Sequence, residues 1–94
     1  MKHYVYMITN KIDGVLYIGE TKKLKKRIYQ HKTKAHPTAF SARYNLDKLI
    51  FFEEHETIAE AKLREKQIKK WNRSWKIELI KKTNPDWKDL YEDL

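Results

Sequence analysis

The chain has 94 residues, of which 40% are hydrophobic and 13% aromatic, and carries a net charge of +8 from 21 Lys and Arg against 13 Asp and Glu. That length suits a single domain, residues 1–94, with one small core, and the absence of cysteine excludes disulfides and thiolate metal sites and points to a cytoplasmic setting. No apolar run approaches the ~20 residues of a membrane span, and Met1-Lys2-His3-Tyr4 leads into a strand-like run without the small-residue cleavage site of a signal peptide. The lysines gather in helical stretches, which makes nucleic acid the leading polyanionic partner, although a merely solvated basic surface explains the charge equally well.

In chain order, residues 4–9 and 15–19 are β-branched and aromatic runs separated by a segment containing Asn10, Asp13 and Gly14, the pattern of a hairpin. Gly19 closes the second strand. Thr21 is placed to cap a helix over about Lys22 to Lys34, anchored by Leu24 and Ile28 and stopped by Pro37. The stretch from His36 to Asp47 has no period and reads as a surface loop. Leu49-Ile50-Phe51-Phe52 is a third strand, which completes a small sheet. Thr57-Ile58-Ala59-Glu60 has the form of a capping box and starts a helix running to about Trp71. Ser74 is a candidate cap for the next helix, which Asn84-Pro85 ends, and Trp87, Leu90, Tyr91 and Leu94 recur at the spacing of a short closing helix.

Two helices break their own patterns. On a helical wheel Ile58, Ala61 and Ile68 share one face, and Glu65 falls in the middle of it, where an ionised carboxylate needs a cation or an opening to a cleft. A structural ion pair is the plain alternative. In the first helix Arg27 and His31, one turn apart, lie within about 60° of Leu24 and so project inward, while Lys22, Lys25 and Lys26 take the outer faces. For these the plain readings are an ion pair with Glu53, Glu54 or Glu65 and a hydrogen-bonded core histidine. Tyr6 and Tyr17 are ordinary packing residues if taken singly. Their convergence with Arg27, His31 and Glu65 changes that reading, because a carboxylate for a divalent cation, an arginine for phosphate charge and groups that move protons are what phosphodiester hydrolysis requires.

At these residues the sequence resembles the GIY-YIG nuclease superfamily, in particular its small stand-alone bacterial members. The motif stands as Tyr4-Val5-Tyr6, ten residues, then Tyr17-Ile18-Gly19. Its second half matches fully, whereas Tyr4 and Val5 replace the glycine and isoleucine of the first. Leu24-Lys25-Lys26-Arg27 with His31 resembles the family's catalytic helix, and Glu65 its metal-binding glutamate. The resemblance implies an α+β fold, a three-stranded antiparallel sheet flanked by helices. It also implies a metal-dependent endonuclease hydrolysing DNA phosphodiester bonds, with a setting in DNA repair or recombination. One Mg²⁺ or Mn²⁺ would sit on Glu65, one of the two tyrosines would activate water, Arg27 would stabilise the phosphate and His31 would orient or relay a proton. Asn72 and Asn84 are candidates for an asparagine that the family places near the end of its site.

Two other functions compete. A nucleic-acid-binding module could keep the fold without the chemistry, and an interaction domain could expose part of the aromatic tail formed by Trp75, Trp87 and Tyr91. A full set of site residues argues against the first, and a core role for the aromatic tail against the second.

Overall fold

In the computed structural model, which describes residues 2–94, the fold is α+β. Strands β1 (His3–Thr9), β2 (Leu16–Thr21) and β3 (Lys48–His55) form one antiparallel sheet in the order β2-β1-β3, with β1 in the middle. The β1–β2 turn is closed by bonds from Gly14 N–H to Lys11 O (2.9 Å) and from Val15 N–H to Asn10 Oδ1 (3.0 Å). Asp13 takes the left-handed conformation there (φ 57°), which aspartate tolerates better than most residues. Gly14 is required by space, since a Cβ would lie 2.0 Å from Asn10 Oδ1.

Alternation along β1 divides the core in two. Val5 and Met7 pack with Ile18, Phe51 and the helices α3 (Ile58–Lys70) and α4 (Arg73–Thr83). Tyr6 and Ile8 face the other way, onto Leu24 and Ile28 of α1 (Leu24–Thr33) and onto the C-terminal residues Leu90, Tyr91 and Leu94. Opposite Met7 and Ile8 the pairing skips Ile50, so β3 carries a bulge, and Ile50 joins Phe51 on the α3–α4 side of the core. Its carbonyl accepts a bond from Asn84 Nδ2 (3.0 Å). Asn84 also donates to Lys88 O (2.8 Å) and accepts from Lys88 N–H (3.0 Å), which ties the end of α4 to the bulge.

Several boundaries differ from the sequence reading. α1 begins at Leu24, and Thr21 Oγ1 accepts from Lys23 N–H (3.1 Å) in the approach to the helix without capping it. The stretch read as loop contains a four-residue helix, α2 (Phe40–Arg43), too short to show a period. The capping box at Thr57 is formed as expected, but Ile58 is exposed: it occupies the first turn, where the box satisfies the backbone without burial. Asn72, not Ser74, caps α4, accepting from Trp75 N–H (3.0 Å) and from Ser74 Oγ–H (2.7 Å).

The expected closing helix is reduced to a 3₁₀ turn, Tyr91–Asp93. Trp87, buried and left-handed at φ 55°, breaks the helical path, and Asp89 anchors the last residues of the chain. The Asp89 carboxylate accepts from Lys32 Nζ (2.6 Å), Leu49 N–H (3.2 Å) and Tyr91 N–H (3.1 Å). Burial works to raise the Asp89 carboxyl, and these bonds outweigh it, so that its pKa is lowered. Among the described residues no helix is long and apolar enough to cross a membrane.

Candidate active site

Tyr6 stands on the central strand, 1% exposed, directly opposite Gly19 on β2. A Cβ at Gly19 would lie 2.4 Å from the Tyr6 hydroxyl and 2.5 Å from Cζ, so the missing side chain is what lets the tyrosine ring lie across β2 towards the sheet edge. There the hydroxyl meets His31 Nε2 at 3.0 Å, and His31 Nδ1 meets Ser41 Oγ, buried on α2, at 2.8 Å. The imidazole is thus held at both nitrogens.

Burial pushes the Tyr6 hydroxyl up to about 12, and the neighbouring Tyr17 works in the same direction. Arg27 opposes the shift, and Glu65 adds to it. The four other side chains singled out in the sequence therefore all bear on one phenol: His31 by direct contact, Arg27 by its charge and by hydrogen bonding, and Tyr17 and Glu65 as neighbours that raise it. Burial, together with the charges of Arg27 and His36, drops His31 to about 4, so the ring is neutral at physiological pH.

These five groups come from four elements: Tyr6 from β1, Tyr17 from β2, Arg27 and His31 from α1, and Glu65 from α3. Tyr17, half-buried on β2, meets His31 edge to face, with ring centroids 5.9 Å apart. Arg27 corrects the wheel argument, because its side chain is exposed. Leu24 and Ile28 take the buried positions of α1, and the long arginine stem carries the guanidinium to the mouth of a cleft of about 300 Å³ lined also by Tyr17, His31, Lys34 and Ser41. Among the described residues Arg27 has no ion-pair partner. Glu53 is taken by Arg64 (2.7 Å) and His55 (2.9 Å), and Glu54 by Lys2 (3.2 Å).

Glu65 comes from α3, on the far side of the sheet, and stands beyond the β2 edge. Its side chain is 22% exposed and, among the described residues, held only by Lys69, one turn on, at 3.4 Å. It shares a shallow groove with Glu20 and with Lys62, Lys66, Lys69 and Lys70. That groove continues through Glu20 to Arg27 and into the His31 cleft.

A family model described as the GIY-YIG catalytic domain matches residues 2–78, a span that includes all five of these side chains. The chain belongs to the GIY-YIG family. It is a nuclease family. Among the GIY-YIG chain's relatives are a UPF0213 protein of Clostridium perfringens, 42% identical over 82 residues (83% of this chain, 82% of the relative), and one of Staphylococcus saprophyticus, 37% identical (84% and 94%). The solution NMR structure of a UPF0213 protein from Bacillus halodurans is similar with a TM-score of 0.59 at 25% identity, covering 95% of this chain and 93% of that one.

In this GIY-YIG domain neither asparagine candidate joins the cluster: Asn72 caps α4, and the buried Asn84 holds the β3 bulge. Ser41, conversely, was not legible in the sequence, since a serine in an aperiodic stretch carries no signal. The only hint was the length of the loop that contains it. For a divalent cation, the described residues offer no group of three or more His, Asp or Glu. A loosely paired carboxylate at the edge of an open groove, with Glu20 in the same groove, nevertheless fits Mg²⁺, which keeps several waters and takes its remaining oxygens from substrate phosphate.

Proposed function

We propose that the chain is a divalent-cation-dependent endonuclease that hydrolyses DNA phosphodiester bonds, in the setting of DNA repair or recombination. The observation that carries this reading is the placing of Tyr6, whose hydroxyl contacts His31 at 3.0 Å beside the cleft that Tyr17 and Arg27 line. Such an arrangement has no packing purpose that an apolar residue would not serve better.

In this mechanism Glu65 would hold Mg²⁺ or Mn²⁺, which when bound would supply a Lewis acid for the phosphate. Arg27, unpaired and at the cleft mouth, neutralises the charge that builds on the phosphate oxygens. Tyr17 lines the same cleft and positions the attacking water or a phosphate oxygen. His31 with its proton on Nδ1 donates to Ser41 and presents a free lone pair to the Tyr6 hydroxyl. As the water oxygen bonds to phosphorus, Tyr6 accepts the proton from water and passes its own to His31 Nε2; the bond to the leaving sugar oxygen breaks as that oxygen takes a proton from solvent, and His31 returns its proton to solvent. This relay lets a phenol with a pKa near 12 act without ever becoming a free phenolate.

Purified protein incubated with branched, nicked, single-stranded and duplex DNA tests the proposal. Cleavage of at least one substrate with Mg²⁺ or Mn²⁺, abolished by EDTA and strongly reduced in Arg27→Ala, is the expected outcome. Tight binding without cleavage of any substrate would replace it with a non-catalytic binding module.

A further inference from the structure

Beside the cleft runs a row of aromatic rings, of which the hydrolytic chemistry uses only the first, Tyr17. Tyr17 stacks on Phe40 with centroids 6.3 Å apart and planes 26° from parallel, and Phe40 lies against Tyr44 at 4.6 Å. The outer two are open to solvent, Phe40 at 48% and Tyr44 at 46%. Helix α2 does not need them for its own burial, because Ser41 and Ala42 fill its inner side. Arg27, Lys34 and His36 line the adjoining cleft, and no carboxylate does. Two half-exposed aromatic rings, Phe40 and Tyr44, beside an uncompensated basic cleft match one ligand chemistry, a nucleobase attached to its phosphate chain.

A base inside a duplex has both faces covered by its neighbours and cannot reach such a platform, whereas an unpaired base can. From this we infer that Phe40 and Tyr44 form a stacking platform for an unpaired nucleobase next to the scissile phosphate. The substrate class is then single-stranded or locally unpaired DNA, such as a flap, a bubble or a branch. The inference rests on the nuclease reading for its reaction but not for its binding. Its register is built in: Ser41, which follows Phe40, is bonded to His31 at 2.8 Å, so the segment that would hold the base also holds a catalytic side chain.

The test is fluorescence anisotropy at one fixed salt concentration, with the full chain carrying Glu65→Gln to prevent turnover. Its probe is a labelled oligonucleotide, offered as a single strand and as the duplex of the same sequence. Phe40→Leu, Tyr44→Leu and the double variant keep apolar bulk while removing the π-face, and circular dichroism checks that each is folded. The single strand is expected to bind at least tenfold more tightly than the duplex. The double variant should lose roughly five- to hundredfold in single-strand affinity with little change for the duplex. A strand containing 2-aminopurine should be quenched by the parent and less so by the variants. Equal affinity for the two forms, or undiminished single-strand binding in a folded double variant, overturns the platform, and cleavage by the Glu65 protein would leave the nuclease reading standing. The expected affinities combined with no cleavage by the Glu65 protein would support the platform and overturn the nuclease reading. Failure to bind either form overturns both.

Discussion

His31 sits between two hydroxyls, Tyr6 on Nε2 and Ser41 on Nδ1, and most of what the site can do depends on that ring being neutral before turnover and oriented. Burial lowers its folded-state pKa from 6.5 to about 4. The unfolded chain therefore takes up a proton between pH 6.5 and 4 that the folded chain refuses, so stability present above pH 6.5 is lost as the pH falls towards 4. Thermal melts across that window should show a steep decline, and His31→Gln, which cannot titrate, should flatten it; an unchanged slope would mean that other groups govern acid unfolding. Ser41→Ala removes the bond that fixes the tautomer. We expect cleavage to fall about tenfold, ¹⁵N shifts of the His31 ring to report a changed tautomer, and Ser41→Thr to restore both. The sequence carried Tyr6, Tyr17, His31 and Glu65 to their places because each lies on a periodic element. Arg27 was misjudged because a wheel locates a Cα direction, not the end of a six-atom side chain. Ser41 was invisible because its partner is ten residues away across an aperiodic segment.

Among the elements, the β1–β2 pair and the α4–β3 junction do different work. Gly19 opposite Tyr6 is a packing requirement of the site, not of the hairpin, since the Cβ of Gly19→Ala would meet a phenol fixed by burial and by His31. That variant should fold with a loss of about 1–3 kcal/mol and displace the ring enough to lower cleavage by on the order of 10²-fold. A wild-type rate would show that Tyr6 has room to spare. At the other junction, Asn84→Ala leaves the Ile50 carbonyl and two backbone groups of Lys88 without their partner. Urea unfolding should register about 2–3 kcal/mol. The hairpin, the third strand, the Thr57 capping box and the order of the main helices were legible from period and punctuation alone. The bulge at Ile50 and the loss of the closing helix were not. Both arise from long-range bonds, Asn84 to Ile50 and Asp89 to Leu49, that leave no local trace.

Across the whole molecule a lysine-rich groove follows one edge of the sheet. Beyond β2 lie Lys22, Lys26, Lys62, Lys66 and Lys69 along a groove whose acidic members are Glu20 and Glu65. The surface beyond β3 is mixed, with Glu54, Glu56 and Glu60 set beside Lys2 and Arg64. The basic groove runs along the edge where Tyr6 and Glu65 approach each other from opposite faces of the sheet, as a site for a polyanion requires. Trp75 is exposed and Trp87 buried, so the aromatic residues near the C-terminus form no common surface. The groove, its basic flanks and the site all lead to one claim, that Glu65 supports cation-dependent hydrolysis there. The most direct test is the single-turnover cleavage rate of wild type against Glu65→Gln with saturating Mg²⁺, on a substrate the wild type cuts. The account predicts a fall on the order of 10²–10³-fold with DNA affinity largely retained, and a Glu65→Gln protein that cuts at the wild-type rate would contradict it.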